Sequence, residues 1–161
     1  MIRIAPEPLR ADAFAEFGDV IETAGARHFP INQGTTIRFD ALAEVETGTD
    51  GRAVISIFRG VCRPMPLRIR MLERHPFGTQ AFMPLADRDW LTVVATGPSV
   101  ENLRCFRVRG DQGVQYHRNI WHHPLLVLAP SQDFLVVDRT GPGTNLEEAR
   151  LAETAEIRLS A

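Results

Sequence analysis

The segment Leu67–Pro84, LRIRMLERHPFGTQAFMP, has the clearest strand pattern of the chain. Its first half alternates with a period of two residues, which is typical of a β-strand with one buried face. The apolar residues of one face predict that this face points inward, and its row is Leu67, Ile69, Met71, Glu73 and His75. Residues 76–79 are expected to turn the chain, and Gln80 opens the next strand. A carboxylate, an imidazole and an amide are therefore expected to converge at the end of a strand pair.

Composition favours an ordinary globular enzyme or binding protein. The chain has 161 residues, 44% of them hydrophobic and 24% charged, which suits a single domain spanning residues 1–161. A net charge of -2 gives no electrostatic argument for binding nucleic acid or an anionic membrane. No apolar run is long enough to span a membrane, and residues 1–10 lack the pattern of a signal peptide. Two cysteines, Cys62 and Cys105, are too few for a disulfide scaffold. We expect a cytoplasmic protein.

Short apolar runs separated by turn signals recur about every ten residues, and they predict strands at 35–39, 53–59, 91–96, 103–109, 125–129 and 134–138. Helical patterns occur only near the ends, at 10–17 and at 146–152. In the second of these, Asn145 and Glu148 have the spacing of a capping box. The sequence therefore predicts an all-β fold, an antiparallel sandwich or small barrel with short N- and C-terminal helices. A jelly roll of this kind commonly encloses a small-ligand pocket.

Glu73, His75 and Gln80 follow the spacing E-x-H-x4-Q, and His117 comes later, after the turn at 110–113. This arrangement resembles the cupin signature, in which two histidines one residue apart precede a carboxylate, and a third histidine follows on a later hairpin. Imidazole nitrogens and a carboxylate oxygen suit a divalent metal such as Ni, Mn, Fe or Zn. The expected metal ligands are Glu73, His75, Gln80 and His117. Without such a site, His75 would by default be a structural histidine bonded to a backbone carbonyl.

A more specific resemblance extends over nearly the whole chain. The segments ERHPFGTQAFMPL (73–85), GVQYHRNIWHHPL (113–125) and DFLVVDRTGPGTN (133–145) are similar to those of the ureidoglycolate lyase family of allantoin degradation. The segments FGDVIE (17–22) and INQG (31–34) fit as well. The resemblance implies a cupin-type barrel, usually a homodimer, that cleaves (S)-ureidoglycolate into glyoxylate and urea. It also implies a divalent metal, with nickel as the expected one.

The lyase reaction suggests roles for residues other than His75, which is expected to bind the metal. Elimination needs a base for the hydroxyl proton, with His117 as the candidate, or Glu73 if it does not bind the metal. It also needs an acid for the urea nitrogen, with His122 and His123 as the candidates. An arginine is expected to hold the substrate carboxylate, the candidates being Arg38, Arg74 and Arg118. Candidates for binding the ureido group are Asn32, Gln80 and Tyr116.

Two other classes of function fit a small β-barrel. One is a non-catalytic cupin that binds a small carboxylate metabolite, and the other is a different cupin enzyme, such as an isomerase or an oxygenase. An oxygenase would need a redox metal with three good ligands, which Glu73 and Gln80 make less favourable.

Overall fold

The computed structural model describes residues 1–159, which are folded almost entirely into β-strands. One short helix, α1, covers Ala11–Phe14, and 3-10 segments cover Asn32–Gly34 and Val100–Asn102. The strands are β1 (Ile2–Ile4), β2 (Glu7–Pro8), β3 (Gly18–Ile21), β4 (His28–Ile31), β5 (Thr36–Phe39), β6 (Arg52–Val61), β7 (Leu67–Arg74), β8 (Gln80–Pro84), β9 (Trp90–Ala95), β10 (Leu103–Val108), β11 (Gly113–Tyr116), β12 (Trp121–His122), β13 (Leu126–Val127), β14 (Ser131–Thr140) and β15 (Glu147–Ile157).

The strands form two principal sheets and one separate hairpin. The larger sheet has the order β1-β15-β7-β12-β9-β10-β2, with β13 also paired to β9. The smaller sheet has the order β3-β11-β8-β14-β6, and β4 pairs only with β5. Pairing is antiparallel except between β1 and β15 and between β2 and β10. The predicted all-β, cupin-like architecture is confirmed.

An aromatic core lies between the two principal sheets. Phe14 and Phe17, from the segment around α1, pack against Phe106 of β10, with ring centroids 5.4 Å and 6.3 Å from the Phe106 ring. Trp90 and Phe134 bring the two sheets together, since their rings lie 5.0 Å apart and nearly perpendicular. Large buried aromatic side chains contribute most of the apolar surface that such a core removes from water.

A second, aliphatic core covers the other face of the larger sheet. It contains Leu67, Ile69 and Leu72 from β7 and Leu91, Val93 and Ala95 from β9. Strand β9 is therefore buried on both faces, as its compact apolar sequence predicts.

The orientation of β7 differs from the prediction. Leu67, Ile69 and Leu72 all belong to the aliphatic core, so the strict alternation shifts by one residue between positions 69 and 72. The pairing of β7 with β15 is irregular at the same place, because Met71 lies opposite Arg150 whereas Ile69 lies opposite Ala155. The expectation that Glu73 continues the row of Leu67 and Ile69 is therefore wrong. Glu73 lies on the opposite face, toward the aromatic core.

The helices are fewer than predicted. Helix α1 is shorter than the predicted 10–17, and residues 147–152 belong to strand β15 instead of a helix. The side chain of Asn145 does not cap a helix, because its Oδ1 accepts a hydrogen bond from the backbone of Phe77. Pairing of β15 with both β7 and β1 overrides the local helical pattern. Within residues 1–159, no helix has the length and apolar character that crossing a membrane requires.

Candidate metal centre

Glu73, His75 and His122 form a compact cluster on the inner side of the larger sheet. His122 lies opposite Glu73 in the pairing of β12 with β7, and His75 follows directly after the end of β7. One potential ligand atom from each of these side chains lies within 4.8 Å of the other two. The short strand β12 is thus what brings a histidine from a distant part of the chain to the end of β7.

Both imidazoles are held with a defined tautomer. His75 Nδ1 lies 2.8 Å from the carbonyl oxygen of Asn145, and His122 Nδ1 lies 3.0 Å from that of Ile120. Because a carbonyl oxygen only accepts, each Nδ1 carries the proton, and each Nε2 is left with its lone pair. Backbone acceptors of this kind are the usual outer partners of metal-binding histidines.

Tyr116 supports His122 from one side. The two rings are stacked at a centroid distance of 4.1 Å and an interplanar angle of 10°. The Tyr116 hydroxyl is 2.7 Å from Thr92 Oγ1, and burial raises the pKa of Tyr116 well above its usual value. Tyr116, a candidate from the sequence for binding the ureido group, forms a packing surface for His122.

Gln80 completes the cluster from strand β8. Its Oε1 lies 3.1 Å from His75 Nε2, and its Nε2 donates to Asp138 Oδ2 at 3.3 Å. Asp138 therefore orients the amide so that its oxygen faces the histidines. Asp138 was not among the residues singled out from the sequence, although it follows the buried Phe134 and Val136 on the inner face of β14.

The donor set of this cluster fits a divalent cation. The atoms that face one another are two imidazole lone pairs, a carboxylate and an amide oxygen, and all of them are acceptors. His122 Nε2 is buried and makes no hydrogen bond with any residue from 1 to 159, although Glu73 Oε1 is 3.5 Å away. A metal ion satisfies such a set, whereas acceptors alone repel one another. The structure thus supports a metal site made by Glu73, His75 and His122.

The protonation states agree with this arrangement. Burial lowers the pKa of His122 more than the nearby Glu73 carboxylate raises it, so the imidazole is neutral near pH 7. Burial alone would raise the pKa of Glu73, but His122, His75 and His123 together lower it below the ordinary value. Glu73 is therefore anionic and the imidazole of His122 is neutral, which are the forms that bind metals.

His117, which was expected to be a ligand or the base, is not part of the cluster. Its side chain is 44% exposed, and its Nε2 lies 3.4 Å from Asp19 Oδ2. Its backbone N–H donates to the carbonyl of Phe17, at the point where the chain leaves β11. The second histidine of the cluster is His122, which the sequence had suggested only as a proton donor.

Most of the other candidate residues also lie outside the cluster. Asn32 is exposed on the separate hairpin and bonds weakly to Thr36. Arg38 pairs with Asp40, and Arg74 pairs with Glu147. The Nε of Arg118 donates to the carbonyl of Pro76. His123, in contrast, is buried close to Glu73, and burial lowers its pKa to about 4.

Comparison with known proteins identifies the family. Residues 1–158 match the family model for ureidoglycolate lyase. A ureidoglycolate lyase of Pseudomonas savastanoi pv. phaseolicola is 54% identical over 158 residues, covering 96% of this chain and 93% of its own. The ureidoglycolate lyases of Pseudomonas putida (54%) and Pseudomonas entomophila (55%) align over 96% of this chain and 95% of theirs. The fold, the cluster of Glu73, His75 and His122, and these matches agree, and the chain belongs to the ureidoglycolate lyase family.

Proposed function

We propose that this protein is a metal-dependent ureidoglycolate lyase that cleaves (S)-ureidoglycolate into glyoxylate and urea. Membership of the family supports the reaction, and residues 1–161 would act as one catalytic domain. The observation that carries the proposal is the cluster in which Glu73, His75 and His122 present ligand atoms within 4.8 Å of one another. The proposed location is the cytoplasm.

The proposed cofactor is a divalent metal, with nickel as the first candidate. Glu73, His75 and His122 would hold it, and Gln80 Oε1 is close enough to His75 Nε2 to contribute a fourth ligand. When bound, the metal supplies a Lewis acid that stabilises negative charge on the substrate oxygen atoms. The neutral imidazoles suit nickel or another transition metal better than magnesium or calcium.

The reaction requires two proton movements. The bond between the carbinol carbon and the urea nitrogen breaks with its electron pair leaving on nitrogen. The hydroxyl oxygen forms the aldehyde carbonyl and loses its proton, and the urea nitrogen gains one. His123 would carry this proton, because its Nδ1 donates to the Pro124 carbonyl and its Nε2 keeps a free lone pair. Since the same proton can be returned to the nitrogen, one residue can serve both transfers.

A product assay tests the function. Purified protein would be incubated with racemic ureidoglycolate, with and without added nickel or manganese, while glyoxylate, urea and ammonia are measured. The proposal predicts equal amounts of glyoxylate and urea from one enantiomer. Ammonia in place of urea would indicate an amidohydrolase, and no product above the spontaneous rate would favour a non-catalytic protein that binds a small carboxylate.

We also propose that the protein is a homodimer, with the outer face of β6 as the contact surface. Ile55 and Ile57 of β6 are 71% and 55% exposed. Opposite them on β14 lie Val137 and Leu135, which extend the same apolar face across the smaller sheet. A contiguous apolar face of this kind marks an interaction surface, and a second copy related by a two-fold axis covers it with an identical surface.

The homodimer proposal predicts that one negative charge in the apolar face of β6 will separate the two subunits. Ile57→Asp places a carboxylate in the apolar face and is expected to convert a dimer into a monomer, because an unpaired charge is costly to bury. Light scattering after size-exclusion chromatography measures the mass directly. Leu146→Asp, at an exposed leucine outside this face, is the control and should remain a dimer. A monomeric wild-type protein, or an Ile57→Asp variant that stays dimeric, would refute this interface.

A further inference from the structure

A cleft of about 540 Å³ opens along the first half of β7, and three arginines line it. Arg63 comes from the loop between β6 and β7, while Arg68 and Arg70 come from the first half of β7. His123 and Leu126 form part of the remaining wall, so the cleft joins a cationic rim to a partly apolar surface. We call this cavity, lined by Arg63, Arg68, Arg70, His123 and Leu126, the arginine cleft.

The charges of the arginine cleft are not neutralised by the protein. None of the ion pairs found within residues 1–159 involves Arg63, Arg68 or Arg70, and no carboxylate lines the cleft. The acid opposite Arg68 on β15, Glu156, forms no ion pair with it. Several other arginines are paired with acids, among them Arg104 with Glu7 and Arg107 with Asp89. Three like charges around one cavity favour an anionic ligand.

The cleft and the metal centre share one face of β7. Because Leu67, Ile69 and Leu72 point into the aliphatic core, Arg68 and Arg70 point to the opposite side, which is also the side of Glu73. His123 connects the two regions, since it lines the cleft and is close enough to Arg63 and Glu73 for both charges to act on it. An anion held by the arginines would therefore lie on the same side of β7 as Glu73 and against His123.

We propose that the arginine cleft binds the carboxylate of the substrate, and that Arg68 and Arg70 give the enzyme its preference for an anionic substrate. This inference rests on the proposed lyase function. A guanidinium can hold a carboxylate through two parallel hydrogen bonds, which fixes the orientation as well as the position of the anion. In ureidoglycolate the carboxylate is attached to the carbon that loses urea, so holding it places the scissile bond between the cleft and Glu73. Of the arginines considered from the sequence, Arg38 and Arg74 already have acidic partners.

Kinetics with a charged and a neutral substrate test the proposal. N-(hydroxymethyl)urea has the same hydroxyl and ureido groups as ureidoglycolate but no carboxylate. For Arg68→Met and Arg70→Met, we expect kcat/KM for ureidoglycolate to fall by about 10- to 100-fold, as for loss of a charge-assisted contact. With N-(hydroxymethyl)urea, kcat/KM should stay within about 2-fold of the wild type, because no contact is lost. Equal losses with both substrates would overturn the proposal.

The matched control is Arg3→Met, which removes an exposed arginine of β1 that forms no ion pair within residues 1–159. It should leave kcat/KM unchanged for both substrates, and a loss as large as that of Arg68→Met would show a general charge effect instead of a binding site. Arg68 and Arg70 are exposed, so the thermal unfolding midpoint of each variant should match that of the wild type.

A binding measurement separates this inference from the lyase function. Glyoxylate would be titrated into metal-free wild-type protein and into the three variants, with binding followed by NMR chemical shifts. We expect Arg68→Met and Arg70→Met to weaken binding by about 10-fold or more and Arg3→Met to leave it unchanged. If neither substrate is turned over but binding depends on Arg68, the lyase function is wrong and the anion site stands. If glyoxylate binds all four proteins equally, the anion site is wrong whatever the activity.

Discussion

His122→Ala is expected to abolish stoichiometric metal binding and to lower lyase turnover by about 100-fold or more, the usual size of a lost catalytic group. The side chain supplies one of three ligands, and its Nε2 is buried beside Glu73. Metal content after dialysis, measured by elemental analysis, and glyoxylate release would be followed together. His122→Gln tests the packing against Tyr116, since it keeps a polar side chain there without an imidazole.

His117→Ala is the matched comparison for this prediction. His117 is half-exposed beside Asp19 and lies outside the cluster, so the variant should keep the metal content of the wild type. Loss of the metal in His117→Ala, together with full metal content in His122→Ala, would contradict a metal site made by Glu73, His75 and His122.

Phe106→Ala is expected to produce the largest loss of stability among single core substitutions. Phe106 is fully buried and contacts the rings of Phe14 and Phe17. Truncating a buried phenylalanine typically lowers the free energy of unfolding by about 3–5 kcal/mol, which corresponds to about 6–20 °C in the unfolding midpoint of a domain of this size. Calorimetry measures both quantities.

The control for Phe106→Ala is Leu85→Ala. Leu85 is 57% exposed, so its truncation should change the free energy of unfolding by no more than about 0.5 kcal/mol. A Phe106→Ala variant as stable as Leu85→Ala would show that the two sheets do not depend on the aromatic core between them.

The strands are largely predictable from the sequence because their apolar patterns are local. The segment 91–96 is read as a strand buried on both faces, and β9 covers Trp90–Ala95 with all its residues buried. The prediction of a C-terminal helix is wrong, because the strand pairing that decides the structure there joins residues distant in sequence. Strand β15 forms through pairing with β7 and β1, which the capping pattern around Asn145 cannot reveal.

The candidate site was predicted in part. The spacing of Glu73, His75 and Gln80 places them at the end of one strand and the start of the next, and the structure brings them together. Which later histidine joins them depends on the turn between β11 and β12, where Asn119 adopts a positive φ of 72°. That turn places His117 outside and His122 opposite Glu73. Spacing alone does not distinguish these two outcomes.

The arginine cleft shows how one local irregularity changes a functional interpretation. With strict alternation along β7, Arg68 and Arg70 would lie on the face opposite Glu73. The shift between positions 69 and 72 brings them to its side. A sequence pattern does not reveal this shift, because it results from the irregular pairing with β15.

We expect Glu73, His75 and His122 to hold one divalent metal. Anomalous X-ray diffraction from crystals of nickel-loaded protein, collected above and below the nickel absorption edge, tests it most directly. We expect a single strong peak beside the Nε2 atoms of His75 and His122 and a carboxylate oxygen of Glu73. A peak at His117 and Asp19, or no protein-bound peak under conditions in which the enzyme is active, would contradict it.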